Sequence, residues 1–232
     1  MKIEKIGDVA QGHGVKAVLH GPAGSGKTYS ISTIPNPDTV LVLSAEAGLL
    51  SIRNKAKDVD VAVITCVEDL EKAYAIIAEP NSKYKTVVLD SLTEIAQQVL
   101  AKEIKEKKDP RQAYGELSIR MTRMIKAFRD MSGLNVILIC QQERIIDDAG
   151  RIYYGAAFPG KKLGQAVPYL PDLVGCVRIK RDLMEDGSPG PVRRAFQFGY
   201  DEQYECKDRS GALADFEEPS WTVIFAKINN QA

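Results

Sequence analysis

The chain has 232 residues, 44% hydrophobic and 27% charged, enough for one sizeable core and too little for two comfortable domains. The 31 Lys and Arg balance 31 Asp and Glu, so nucleic acid cannot be coated by bulk charge, and any such binding has to come from local patches. No apolar run approaches the roughly 20 residues of a membrane span, and the opening MKIEKIGDVAQGHG lacks the apolar stretch of a signal peptide.

Short apolar, β-branched runs alternate with longer helical segments. The runs are Val15–His20, Thr39–Ser44, Val59–Thr65, Thr86–Leu89 and Asn135–Cys140. Each is apolar almost throughout, the pattern of a strand covered on both faces. Between the last two, Leu117, Met121, Met124, Ile125, Phe128 and Met131 form a stripe at the helical period. Strands alternating with helices predict an α/β fold, a mostly parallel sheet with helices on both faces. Gln142–Pro171 has Gly, Pro and aromatic residues without a sustained period, so it is expected to lack regular structure and to be functional or disordered. Leu173–Lys180 and Arg193–Phe198 read as strands joined by the Asp186-Gly187-Ser188-Pro189-Gly190 turn, an antiparallel C-terminal edge to the same sheet. Trp221–Ile228 suits a short packing helix or a strand. Cys66, Cys140, Cys176 and Cys206 are far apart with no C-x-x-C pair, which favours reduced intracellular thiols over a disulfide scaffold or zinc site.

Gly21-Pro22-Ala23-Gly24-Ser25-Gly26-Lys27-Thr28 is a full GxxxxGK[ST] match directly after the first strand. Glycines let such a loop wrap backbone N–H groups around phosphates, and the helix expected to follow adds its dipole. In this motif the lysine, here Lys27, reaches the β- and γ-phosphates, and the Thr28 hydroxyl ligates Mg²⁺. The loop, with Tyr29 next in line, is therefore expected to bind ATP and Mg²⁺. Thr86-Val87-Val88-Leu89-Asp90-Ser91 is an apolar strand ending in an acid that would hold the Mg²⁺ through water beside Thr28. Asp-Ser ahead of Leu-Thr-Glu also suits a helix cap, and the two roles can coexist. His13 and His20 flank the first strand with no partner at metal spacing, so no metal besides Mg²⁺ is indicated.

Three further segments carry a family resemblance. Leu41-Val42-Leu43-Ser44-Ala45-Glu46 ends a strand in a carboxylate, Asn135–Gln141 ends one in an amide, and Lys207-Asp208-Arg209-Ser210-Gly211 is similar to a Lys-Asn-Arg-x-Gly signature, with Asp in place of Asn. With the phosphate loop they resemble the RecA-like ATPases, the branch of RecA/RadA recombinases and hexameric replicative helicases, over roughly residues 15–212. The resemblance implies a single RecA-like domain over 1–232 with 213–232 as its tail. It implies that Glu46 polarises the attacking water. Gln141 would sense the γ-phosphate and relay it to the DNA-binding loop that follows. Lys207 and Arg209 would reach a neighbouring subunit's γ-phosphate.

The length, and Gln112-Ala113-Tyr114-Gly115-Glu116 before a basic amphipathic helix, look like the small phage-encoded members, which include single-strand annealing proteins. The partners implied are single-stranded DNA, further copies of the chain in a ring or filament, and a single-strand DNA-binding protein, in a bacterial host's cytoplasm and with no membrane. The counterparts of the branch's two DNA-facing loops are Lys102–Ala113, with Lys105, Lys108 and Arg111, and Gln142–Pro168, with Arg144, Arg151, Tyr153, Tyr154, Phe158, Lys161 and Lys162. Cations interleaved with aromatics suit single strands, because charge tracks phosphates and rings stack on bases. Arg178, Lys180, Arg181, Arg193 and Arg194 fall on the edge strands, where charge guards against aggregation. Two other readings stay open: a nucleotide-switched adaptor for a protein partner, and a P-loop kinase of a small substrate with Arg144 and Arg151 in a lid.

Overall fold

A computed structural model describes residue 5 and residues 12–46, 48–184 and 188–230. All five apolar runs form strands: β1 (Lys16–His20), β2 (Val40–Ser44), β3 (Asp60–Val63), β4 (Thr86–Asp90) and β5 (Asn135–Cys140). They pair in parallel, and β8 (Leu173–Leu183) joins β1 in the same direction. β9 (Pro189–Gln197) then runs antiparallel to β8 and carries β11 (Phe216–Glu217), while β10 (Lys207–Asp208) pairs with the start of β8. The order across the sheet is β11-β9-β8-β1-β5-β4-β2-β3. The fold is thus mixed α/β with a mostly parallel sheet and an antiparallel C-terminal edge. Of the expected Asp186-Gly187-Ser188-Pro189-Gly190 turn, the first two residues lie outside the described ones.

Helices cover both faces. On one lie α1 (Val67–Ile77), α2 (Leu92–Glu106) and α3 (Pro110–Arg129). Leu117, Met121, Ile125 and Phe128 of the predicted stripe are buried there with Val18, Leu43, Leu89 and Leu138. On the other face, α5 (Trp221–Asn229) settles the ambiguous tail as a helix. Trp221 is fully buried among Ile31, Phe196 and Phe225, and its Nε1–H donates to Ser30 Oγ at 3.1 Å, tying the C-terminal helix to the segment after the phosphate loop. Among the described residues no helix is long and apolar enough to cross a membrane, and all four cysteines are free thiols.

Four expectations need correction. β3 is an edge strand covered on one face only: Val61 and Val63 point the same way and are exposed, Val63 70% so. The helix expected after the phosphate loop is a six-residue 3₁₀ turn, Thr28–Thr33; Pro35 forces Ile34 into extended backbone and ends it. Lys102–Ala113 is no loop, since α2 and α3 take all of it but residues 107–109. Gln142–Pro171 is ordered as a hairpin of β6 (Gln142–Ile146) and β7 (Ile152–Ala156), then α4 (Lys161–Ala166). The Asp147 carboxylate accepts from the backbone N–H groups of Ala149 and Arg151 and closes the hairpin turn, where Gly150 takes φ +81°. Over most of its length the hairpin buries neither face, so selection left no alternating pattern to read.

Candidate nucleotide site

The parallel strands deliver their C-terminal ends to one edge, where ligands of open α/β sheets bind. There Gly21 follows β1, Glu46 follows β2, Asp90 ends β4 and Gln141 follows β5. They surround a cleft of about 920 Å³ floored by the phosphate loop. Gly24 and Gly26 hold φ +70° and +102°, values that side chains resist, and a Cβ on Gly24 would meet nothing within 4 Å. The loop is therefore open at Gly24. Ser25 Oγ is buried without a hydrogen-bond partner among the described residues, a polar atom left for a ligand to satisfy.

Lys27 folds over the loop, its Nζ donating to the carbonyls of Gly21 (2.7 Å) and Pro22 (3.0 Å). Burial lowers its pKa, against the pull of Asp90 and Glu46. The Thr28 hydroxyl donates to Asp90 Oδ2 at 2.8 Å, although β5 stands between β1 and β4. Burial raises the Asp90 carboxyl, the bond from Thr28 lowers it, Glu46 raises it and Lys27 lowers it. A hydroxyl and one carboxylate are the hard oxygen donors that Mg²⁺ accepts alongside phosphates and water, so Thr28 and Asp90 fit the ion and the open loop fits the nucleotide.

Glu46 is held from two sides. Its Oε1 accepts from the Ser91 hydroxyl and from Gln141 Nε2, the latter at 3.1 Å. Ser91 Oγ also caps α2 by accepting the Glu94 N–H, so the cap foreseen for the Asp-Ser pair is made by the serine and also orients Glu46. Gln141 is wired onward: its N–H donates to Thr93 Oγ1, the Thr93 hydroxyl donates to the Ala157 carbonyl, and the Ala157 N–H donates back to Gln141 O at 2.9 Å. These bonds fix the base of the β6–β7 hairpin to the residue that touches Glu46. Beside them, buried His20 places Nε2 2.8 Å from the Glu205 carbonyl and Nδ1 3.1 Å from Gln142 Nε2. Burial pushes its pKa down to about 4, so it is a neutral structural link.

Tyr29 lines the cleft beside the loop, its hydroxyl hydrogen-bonded to Lys55 Nζ. Lys207 and Arg209 do not line it. Lys207 Nζ donates to the carbonyls of Pro168 and Pro171, both at 2.6 Å, and Arg209 to that of Tyr169 at 3.1 Å. The two basic segments are neighbours, because α3 packs on α4 and Tyr114 touches Gly160. Lys105, Lys108, Arg111, Arg144, Lys161 and Lys162 are exposed. Several residues there are already engaged: Lys161 pairs with Asp148 at 2.6 Å, Arg151 pairs with Asp147 and lies 5.0 Å from the Tyr153 ring, and Tyr154 stacks on Tyr204. Phe158 is core.

Sequence reasoning missed Arg194 and Pro219, both of which line the cleft. No local motif marks either; alternation along β9, which puts Arg194 on the face of Phe196, is the one usable signal, and it needs the partner strand to be read. No curated protein matches the chain. The AAA domain matches residues 13–210, a span that holds every cleft-lining residue except Pro219; the chain belongs to that family of P-loop ATPases.

Proposed function

We propose that this ATPase is a RecA-like, single-strand DNA-binding recombination or annealing protein of phage type, a single domain that works as an oligomer in a bacterial host's cytoplasm. The observation that carries the reading is the Gln141 link, which joins Glu46 to a hairpin bearing Arg144, Arg151, Tyr153 and Tyr154. In this reading the phosphate loop and Lys27 bind the triphosphate, and Thr28 and Asp90 hold Mg²⁺, which neutralises charge building on the phosphates. Glu46 accepts the proton of the attacking water, and Ser91 and Gln141 keep its carboxylate aimed. When the γ-phosphate leaves, Gln141 re-bonds and the hairpin base shifts with it. Lys207 and Arg209 would serve a neighbouring copy only after releasing the carbonyls they now hold, which couples hydrolysis to assembly.

A second reading, the protein-partner switch, draws on the ion pairs Arg151–Asp147 and Lys161–Asp148, which neutralise part of the cationic surface a nucleic acid would need. The deciding measurement is ATP turnover with and without single-stranded DNA across a salt series, beside Lys27→Ala. We expect stimulation that fades steeply with salt, as counterion release requires, and no turnover in the variant. Turnover indifferent to DNA, with no strand binding at low salt, would leave the switch.

A further inference from the structure

The β8–β9 hairpin does more than edge the sheet. β1 ends at His20 opposite Cys176, while β8 runs on to Leu183 paired with β9, so the hairpin stands beside the phosphate loop. Opposed residues share a face and faces alternate; the pairs Val177–Phe196, Ile179–Arg194 and Arg181–Val192 therefore lie on one side. Val177, Phe196 and Arg194 line the nucleotide cleft.

Arg194 differs from its neighbours there. Arg178 pairs with Asp201 at 3.7 Å and Arg193 pairs with Asp182. Arg194 makes no ion pair among the described residues; its Nε donates to Ser25 O at 3.1 Å, and its Cδ lies 3.6 Å from where a Gly26 Cβ would be. One donor of five is thus placed on the loop, and the planar guanidinium stays at the cleft. The sheet order puts β8 and β9 on the far side of β1 from Glu46 and Gln141. A nucleotide whose γ-phosphate faces Glu46 therefore extends its nucleoside toward the hairpin, where Arg194 and Pro219 keep accessible surface at the cleft and the buried Val177 and Phe196 back the wall behind them. A guanidinium at that wall can stack on an aromatic base and keep its edge for hydrogen bonds.

We propose that Arg194 is a nucleotide-binding residue acting within its own chain, holding the ribose and base that ATP and ADP share. The inference rests on the nucleotide site and not on the DNA reading. Its test compares the parent chain with Arg194→Ala and Arg194→Lys, measuring binding of ATP and ADP and competition by inorganic triphosphate, with thermal melting to show that each variant folds. We expect Arg194→Ala to weaken ATP and ADP alike, by about tenfold, with KM raised, kcat little changed and triphosphate affinity kept. Lysine should restore part of the loss. Equal affinities in a folded Arg194→Ala would overturn the proposal, as would a loss confined to ATP, which would move the contact to the γ-phosphate. A matching loss of triphosphate binding would also overturn it, since Arg194 would then act only by bracing Ser25. If the parent chain bound neither nucleotide, the site itself would fall.

Discussion

Glu46→Gln is expected to lower ATP turnover roughly 10²–10⁴-fold, the contribution of a positioned general base, and to leave ATP binding close to that of the parent chain. The substitution isolates proton acceptance because an amide keeps the volume and one carbonyl oxygen, so Ser91 and Gln141 retain their acceptor. Lys27→Ala, by contrast, removes the cation from the phosphate loop and should cost binding as well as turnover. Single-turnover hydrolysis together with nucleotide affinity checks the split. A Glu46→Gln variant that hydrolyses within about threefold of the parent would take the base role from Glu46, and the adaptor reading, which needs little hydrolysis, would gain by it.

Glu46 also shows what a sequence can and cannot disclose. The phosphate loop is legible because its chemistry depends on consecutive backbone N–H groups, which confines it to one short segment. Four of the five parallel strands are legible because burial on both faces leaves unbroken apolar runs, and β3 reads like them because its exposed Val61 and Val63 are as apolar as core residues. Glu46 and Gln141 could be placed only as residues ending strands; that they touch, with Ser91 between Glu46 and α2, follows from β4 lying between β2 and β5 and pairing with both. Arg194 was hidden for the opposite reason. A cation on an edge strand usually faces water, and this one faces the cleft because β9 overhangs the loop, a consequence of how far β8 continues past β1. The β6–β7 hairpin left no period because its strands bury little, so its existence depends on the Asp147 turn and on the bonds at Gln141 and Ala157.

Those bonds sit beside Glu205, which yields the second large prediction, a contribution to stability that falls as pH rises from acid to neutral. Glu205 lies against β7, its Oε2 2.8 Å from where a Gly155 Cβ would be, and it forms no ion pair among the described residues. Burial lifts its carboxyl from 4.5 to about 7, against the Ala156 N–H bond and the charges of Lys207 and Arg151. Below pH 4.5 the folded and unfolded chains both hold this proton. Between 4.5 and about 7 only the folded chain does, so each step upward favours unfolding, and above 7 the loss is complete. At full burial the shift corresponds to roughly 3 kcal/mol, an upper value because the side chain keeps some solvent contact. Glu205→Gln needs no proton and still offers an acceptor to Ala156, so at about pH 8 it should melt on the order of 5–10 °C above the parent chain, with the gap closing toward about pH 4. Carboxylates whose pKa values are lowered, such as Glu68 and Asp69, tilt both chains the other way and cancel in the difference. A gap of the same size at both pH values would mean that the glutamine merely packs better, and no gap on the alkaline side would mean that Glu205 ionises without cost. The Glu205 carbonyl also faces His20 Nε2, one residue before the phosphate loop, so the segment at Glu205 and the loop meet at this residue.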